Sequence, residues 1–255
     1  MNHFFVEASQ IQGKQVRILG EDVKHIRNVL RMKPGEELSV SNGIDDKEYR
    51  CGIVSISEDE VLCELRFVKE AGVELPLRLR LFQGLPKSDK MDLIVQKAVE
   101  LGAAEIIPVA CERCVVQLDK GKYEKKRERW QNIARSAAEQ SRRAYIPQLG
   151  DCLSMKEAVA AAAEDELALI PYEMEEGMSG LAGAMQKIRE LALSKAGASV
   201  SVFIGPEGGF AESEVAAARE AGIVPVSLGR RILRTETAGF CLLSHIMLML
   251  ESEVG

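Results

Sequence analysis

Ser199-Val200-Ser201-Val202-Phe203-Ile204 runs straight into Gly205-Pro206-Glu207-Gly208-Gly209-Phe210, and a helical pattern follows over Ala211 to Ala221. The first segment is short and apolar, and the second is a glycine-rich turn. The stretch therefore predicts strand, loop, helix. The pattern repeats at once: a strand over Val224 to Leu228, the loop Gly229-Arg230-Arg231-Ile232-Leu233-Arg234, and a helix over Thr235 to Ser252. Further strands are expected at Arg78 to Phe82, Glu105 to Val109 and Glu166 to Ile170, with helices at Asp89 to Leu101, Lys122 to Ser141 and Ser179 to Ser194. Several of these strands are apolar without alternation, as strands covered on both faces should be. Strands alternating with helices argue for an α/β fold, a parallel sheet with helices on both sides. The run Ala158 to Ala163 is a good helix former.

The first 70 residues differ. Short alternating segments at Gln15 to Leu19, Glu37 to Val40, Arg50 to Ile56 and Val61 to Phe67 are separated by turn signals at Lys33-Pro34-Gly35, Ser41-Asn42-Gly43 and Ser57-Glu58-Asp59. They predict a small β-barrel or sandwich, interrupted by one helix from Asp22 to Met32. Residues 71–76, with Gly72 and Pro76, are expected to link this domain (1–70) to the α/β domain (77–255).

Composition sets the outer bounds. In 255 residues, 46% are apolar and 28% charged, which excludes wholesale disorder. The net charge of −6 gives no bulk hint of nucleic acid, so such a role needs local basic patches. The best apolar run, Ile246 to Leu250, is far too short for a membrane span, and Met1-Asn2-His3-Phe4-Phe5 has no signal-peptide character. Six cysteines are too sparse for a disulfide scaffold and read as reduced thiols of a cytoplasmic protein.

In open parallel sheets, ligands bind outside the carboxyl ends of the strands. Three strand ends carry unusual loops: Pro171-Tyr172-Glu173, Gly205 to Phe210, and Gly229 to Arg234. The glycine loop is neither G-x-G-x-x-G nor a P-loop, so it reads either as a close-approach ligand loop or as a tight turn with no ligand. The last loop sets apolar Leu228, Ile232 and Leu233 among Arg230, Arg231 and Arg234, just before a helix that Thr235 or Thr237 can cap. An apolar cradle beside cations suits a heteroaromatic ligand next to an anionic substrate, and a basic surface loop is the plainer reading.

Two basic clusters stand out. Lys24, Arg27 and Arg31 share one face of the expected N-terminal helix, with His25 and Lys33 nearby. The segment Lys122 to Arg143 carries eight Lys or Arg against three Glu, a local net of about +5. Either is a footprint for RNA backbone or a solvated helix face. Cys111-Glu112-Arg113-Cys114 is a C-x-x-C without a second pair, so no metal site is expected there.

Together the segments Gly205 to Phe210 and Leu228 to Ala238 resemble the RsmE family, the 16S rRNA (uracil-1498-N3)-methyltransferases of the SPOUT superfamily. Val29-Leu30-Arg31 with Gly35, Lys87 to Lys97 with Glu100-Leu101-Gly102, and Glu139-Gln140-Ser141-Arg142-Arg143 resemble further elements of it. The resemblance implies a PUA-like N-terminal β-barrel, a C-terminal α/β domain with a trefoil knot, and a homodimer. It also implies S-adenosylmethionine as methyl donor and 16S rRNA of the small ribosomal subunit as substrate, with no membrane and no metal. By the motif match, the donor would lie on Gly205, Pro206, Glu207, Gly208, Leu228, Gly229, Ile232, Leu233, Arg234, Thr237 and Ala238. Lys24, Arg27, Arg31, Lys33, Arg142 and Arg143 are the candidate RNA contacts.

The implied chemistry agrees with the residues. Uracil N3 must lose its proton to attack a methyl group, and negative charge then spreads onto O2 and O4. Arg234 is the candidate that stabilises this charge, with Glu207 or a water as proton acceptor. Two other readings stay open: a SPOUT enzyme acting on a ribose 2′-hydroxyl, and a catalytically silent RNA-binding module.

Overall fold

A computed structural model describes residues 1–116 and 120–252. These form two compact units, one of Met1–Glu74 with Ala138–Ile146, the other of Leu75–Ala137 with Pro147 onward.

In the first unit, alternation decides the sheet. Strand β1 is His3–Phe5, β2 Ile11–Gln12, β3 Gln15–Leu19, β4 Glu37–Ser41, β5 Lys47–Ile56 and β6 Glu60–Glu70. They form one six-stranded sheet in the order β1-β4-β5-β6-β3-β2, antiparallel except for β1 beside β4. Val16 and Ile18 alternate inward from β3 and meet Leu38, Val40, Ile53 and Val61 in one apolar core. Two irregularities in the β5–β6 ladder, at Arg50/Cys51 and Ile53/Ser55, bend the sheet. Cys51 and Cys63 lie in this core, and burial pushes both thiols up to about 12.

The expected helix over Asp22 to Met32 is shorter and less regular. Helix α1 covers only Glu21–Lys24 and passes into a π-helical turn over His25–Val29. The Leu30 amide donates to His25 O at 2.9 Å and the Met32 amide to Ile26 O at 3.1 Å, with Arg31 left-handed between them at φ +53°. This reversal returns the chain to bury Met32 beside Ile26. Lys24, Arg27 and Arg31 therefore do not share an α-helical face, although each is exposed, as is Lys33.

His3 is buried, with Nδ1 3.0 Å from Ser39 Oγ. Burial, only partly opposed by Glu48, lowers its pKa from 6.5 to about 4. Below pH 6.5 the unfolded chain takes up a proton that the folded chain refuses until about pH 4, so stability falls as pH drops through that window. Urea unfolding should show the wild type losing on the order of 2 kcal/mol more than His3→Gln between pH 7 and 5. Equal losses would mean that His3 is not held neutral.

The second unit is the strand–helix alternation. It comprises β7 (Arg78–Gly84), α2 (Lys90–Glu100), β8 (Glu105–Ala110), α3 (Lys120–Ser141, of which 138–141 belong to the first unit), β9 (Gln148–Leu149), β10 (Leu153–Ser154) and α4 (Met155–Ala162), then β11 (Leu167–Pro171), α5 (Ser179–Ser194), β12 (Ser199–Ile204), α6 (Glu212–Glu220), β13 (Val224–Val226) and α7 (Thr235–Glu251). The strands pair in the order β10-β8-β7-β12-β11-β13, with β9 also on β8, and every pairing is parallel. Phe82 and Phe203 stack with ring centroids 4.6 Å apart, beneath Ala158 and Val159 of α4 and Val215 and Ala218 of α6. Leu81, Ile106 and Val202 point to the other face and are also buried. The sheet is thus covered on both sides, which is why several of its strands, β11 (Leu167–Pro171) among them, read as apolar without alternation. Among the described residues, no helix is long and apolar enough to cross a membrane.

Candidate donor and RNA sites

Strands β12, β11 and β13 are neighbours, so the loops leaving their carboxyl ends converge. They enclose a cleft of about 440 Å³. Gly205, Pro206, Glu207, Leu228, Gly229, Ile232, Leu233, Arg234 and Ala238 line it, together with Pro171-Tyr172-Glu173, Phe210 and Lys90. The structure therefore brings together most of the residues that the motifs single out. Gly208 and Thr237 are not among the lining residues. A Cβ on Gly208 would lie 3.0 Å from Arg113 Cβ and 3.3 Å from Arg113 O, so the close approach there is to the chain itself.

The base of the cleft depends on residues that the motifs do not contain. A Cβ on Gly84, at the end of β7, would lie 2.6 Å from Pro206 Cδ and 2.7 Å from Pro206 N, so only glycine lets the loop cross there. Beside it, buried Gln83 donates from Nε2 to Thr235 Oγ1 at 2.9 Å, and Thr235 Oγ1 donates to Gly205 O at 2.6 Å. This chain of bonds fastens the start of α7 to the glycine loop. A polar residue and a glycine directly after the apolar pair Leu81-Phe82 are the sequence signal for this, since the end of a parallel strand is where a site is built.

Lys90 is the electrostatic centre. Its Nζ lies 3.1 Å from Glu236 Oε2 and 3.3 Å from Glu207 Oε1, and these partners, Glu236 first, raise its pKa. Burial pushes the Glu207 carboxyl up. Hydrogen bonds from the backbone amides of Glu207 and Lys87, with the Lys90 ammonium, outweigh it and leave Glu207 below the ordinary carboxylate range. The Lys87 amide meets both Glu207 oxygens, at 3.1 and 3.2 Å. Arg234 occupies the N-cap of α7 with extended backbone, and its side chain is exposed at the cleft. Ile232, at 88% exposure, leaves the apolar wall open to solvent.

The six candidate RNA-contacting residues all belong to the first unit. Lys24, Arg27, Arg31, Lys33 and Arg142 are exposed. Arg142 is left-handed at φ +58°, closing α3, where the Arg143 amide donates to Ala138 O at 2.9 Å. Arg143 does not fit the reading of a phosphate contact. It is 4% exposed, and its Nε sits 3.0 and 2.9 Å from the two Glu74 oxygens. The expectation of a solvated arginine yields here to a buried, bidentate ion pair. Along α3, Arg127 pairs with Asp151 at 2.8 Å and Arg129 with Asp92, so its positive charge is partly neutralised within the unit.

Cys111 and Cys114 follow β8 in a turn, and both are free thiols. Among the described residues, no group of three or more His, Cys, Asp or Glu side chains is placed to hold a metal ion.

The cleft fits S-adenosylmethionine. Its volume lies within the roughly 300–1,000 Å³ of small-ligand sites. Leu228, Ile232, Leu233 and Ala238 offer apolar surface for a heteroaromatic base, the glycine loop offers backbone groups, and Glu173 and Glu207 offer negative charge for a cationic donor.

Fold and cleft together define an RNA methyltransferase carrying a PUA domain. The family described as RNA methyltransferase domain matches residues 73–247, and the RNA methyltransferase PUA domain matches 18–66. The ribosomal RNA small subunit methyltransferase E of Bacillus subtilis (strain 168) is 39% identical over 249 residues, 96% of each chain. Two solved structures are similar throughout. A ribosomal RNA small subunit methyltransferase E from Neisseria gonorrhoeae bound to S-adenosyl methionine has a TM-score of 0.83 and 30% identity, covering 98% of both chains. A protein from Legionella pneumophila, described as a methyltransferase with the cofactor SAM bound, has a TM-score of 0.82 and 33% identity over 96% of both. The chain belongs to the ribosomal RNA small subunit methyltransferase E family.

Proposed function

We propose that this protein transfers a methyl group from S-adenosylmethionine to N3 of a specific uridine in 16S rRNA, the uridine of the family name. The observation that carries the reading is the strand-end cleft, with its apolar wall and an exposed arginine at its edge, in a chain similar throughout its length to the family. When bound, the donor supplies a methyl group already activated on a sulfonium, so the protein's residues need only bind, orient and manage charge.

Gly205, Pro206, Leu228, Gly229, Ile232, Leu233 and Ala238 would hold the donor. The target base must leave its surroundings to reach the cleft. Arg234 then addresses the uracil oxygens on which charge grows as N3 loses its proton. Glu207 is ionised, but the Lys87 amide and Lys90 already engage it, which weakens it as a base. It serves better as the clamp that fixes the glycine loop, which leaves the proton to a water.

The first unit holds flanking RNA through Arg27, Arg31 and Arg142. Changing these three to Ala should weaken RNA binding and lower the slope of log affinity against log salt by about 2 to 3, with donor affinity unchanged. An unaltered slope, measured by filter binding across salt concentrations, would remove these residues from the interface. The reading extends to a homodimer, supported by Leu93 on α2 and Leu248 on α7, exposed on helices that contact each other. It extends also to the family's knot, supported by the burial of Thr235 between Gln83 and Gly205. It extends to a cytoplasmic location, supported by six cysteines among which no structural disulfide is formed.

A further inference from the structure

The turn after β8 holds two thiols that methyl transfer does not use. The Cys114 amide donates to Cys111 O at 3.0 Å, closing Cys111-Glu112-Arg113-Cys114 into an i to i+3 turn. Such a turn brings its first and fourth Cα atoms within about 7 Å, the upper reach of a disulfide. The sulfurs converge as well. Cys111 Sγ and Cys114 Sγ sit 3.9 and 3.7 Å from the same Val109 carbonyl oxygen, and the Cys111 amide donates to Cys114 Sγ at 3.3 Å.

The residues between the thiols are tied to the donor loop at two points. Arg113 Nη1 donates to Gly208 O at 3.2 Å, and Arg113 Cβ and carbonyl oxygen fill the space where Gly208 would carry a Cβ. The Glu112 amide donates to Glu214 Oε1 at 2.8 Å, while Glu214 Oε2 accepts from the Ala211 amide at 2.9 Å. The segment 205–214 therefore rests on the C-x-x-C turn.

We propose that Cys111 and Cys114 form a reversible intramolecular disulfide that controls donor binding through the contact of Arg113 with Gly208. The oxidant is a low-molecular-weight disulfide. The Cys114 thiolate attacks one of its sulfurs, forming a mixed disulfide and releasing one thiol. Cys111, deprotonated by solvent, then attacks Cys114 Sγ and releases the second thiol. The protein dithiol is oxidised by two electrons and one small disulfide is reduced to two thiols. The order of attack follows from placement, since Cys114 is half-buried and Cys111 buried. The hydrogen bond between the thiols also holds Cys114 below, and Cys111 above, the ordinary thiol value. Closing the bond pulls on the turn that carries Arg113 and so shifts the floor under Gly208. This control of donor binding rests on the reading of the cleft as the donor site.

The full-length protein is equilibrated with defined ratios of reduced and oxidised glutathione. Its thiols are then mapped by differential alkylation and peptide mass spectrometry, and S-adenosylmethionine affinity is measured by calorimetry. The expected result is a Cys111–Cys114 bridge, a donor affinity weaker by about fivefold or more, and full recovery with dithiothreitol. Cys111→Ser and Cys114→Ser should bind donor like the reduced wild type and lose the response. Absence of the bridge while exposed Cys241 is glutathionylated would overturn the proposal, as would a complete bridge with unchanged donor affinity. A reduced protein that binds no donor would instead overturn the reading of the cleft, and the thiol map is independent of that result.

Discussion

Arg234→Ala should lower the methylation rate by about a hundredfold or more, as loss of one oriented donor to a developing anion does in other enzymes. Donor affinity should change little, because the donor's own charge is positive and gains nothing from a guanidinium. The reason lies in where Arg234 stands. It is the N-cap of α7, directly before Thr235, whose hydroxyl is fixed between Gln83 and Gly205. Its backbone is therefore held by buried bonds while its side chain is exposed at the cleft. Lys at this position should rescue only in part, since it lacks the planar fork that addresses the edge of a base. Single-turnover kinetics at saturating donor and RNA, with calorimetry of donor binding, separates the two effects. An unchanged rate with collapsed donor affinity would make Arg234 a scaffold of the donor loop.

Arg143→Ala should destabilise the first unit by about 3–5 kcal/mol, the loss expected when one partner of a buried ion pair is removed. Glu74 is the reason. Both its oxygens face Arg143 Nε, Oε1 also accepts the Ala144 amide at 2.8 Å, and its side chain is only 15% exposed. Without the guanidinium this charge is buried and unbalanced. Glu74→Gln in the same background should recover part of the loss, and Arg143→Lys should recover less than a full ion pair. Hydrogen exchange of the β4 and β5 amides in the full-length protein reads the stability of this unit. Unchanged protection together with weakened RNA binding would return Arg143 to the phosphate contacts.

These two arginines mark what the sequence discloses and what it withholds. Arg234 follows an apolar strand and precedes a helix, so the rule that parallel sheets bind ligands at strand ends finds it, along with Gly205 to Glu207 and Pro171 to Glu173. Arg143 reads as one more cation in a basic run, and only the fold brings Glu74, far away in sequence, against it. Lys90 lies in a stretch that resembles the family and Gln83-Gly84 close a strand, but the role of each comes from partners on α7 and the glycine loop that only the fold brings near. Strand β1 is three residues long and pairs in parallel with β4, a long-range contact with no local signature. Helix α4 was more legible than the alanine run alone suggests. Ser154 and Glu157 form a capping box, with Ser154 Oγ accepting the Glu157 amide and Glu157 Oε2 accepting the Ser154 amide. The shortened N-terminal helix was not legible, because a π turn leaves the spacing of Val23 and Ile26 intact while it changes where Arg31 lies.

Methyl transfer to uracil N3 in 16S rRNA is read out by nucleoside mass spectrometry. Small ribosomal subunits from cells lacking this protein are incubated with the purified protein and labelled S-adenosylmethionine, and the 16S rRNA is digested to nucleosides. Label is expected in 3-methyluridine from a single site, lost with Arg234→Ala. Label in a 2′-O-methylated nucleoside, or no label despite measured donor binding, would contradict methyl transfer to N3.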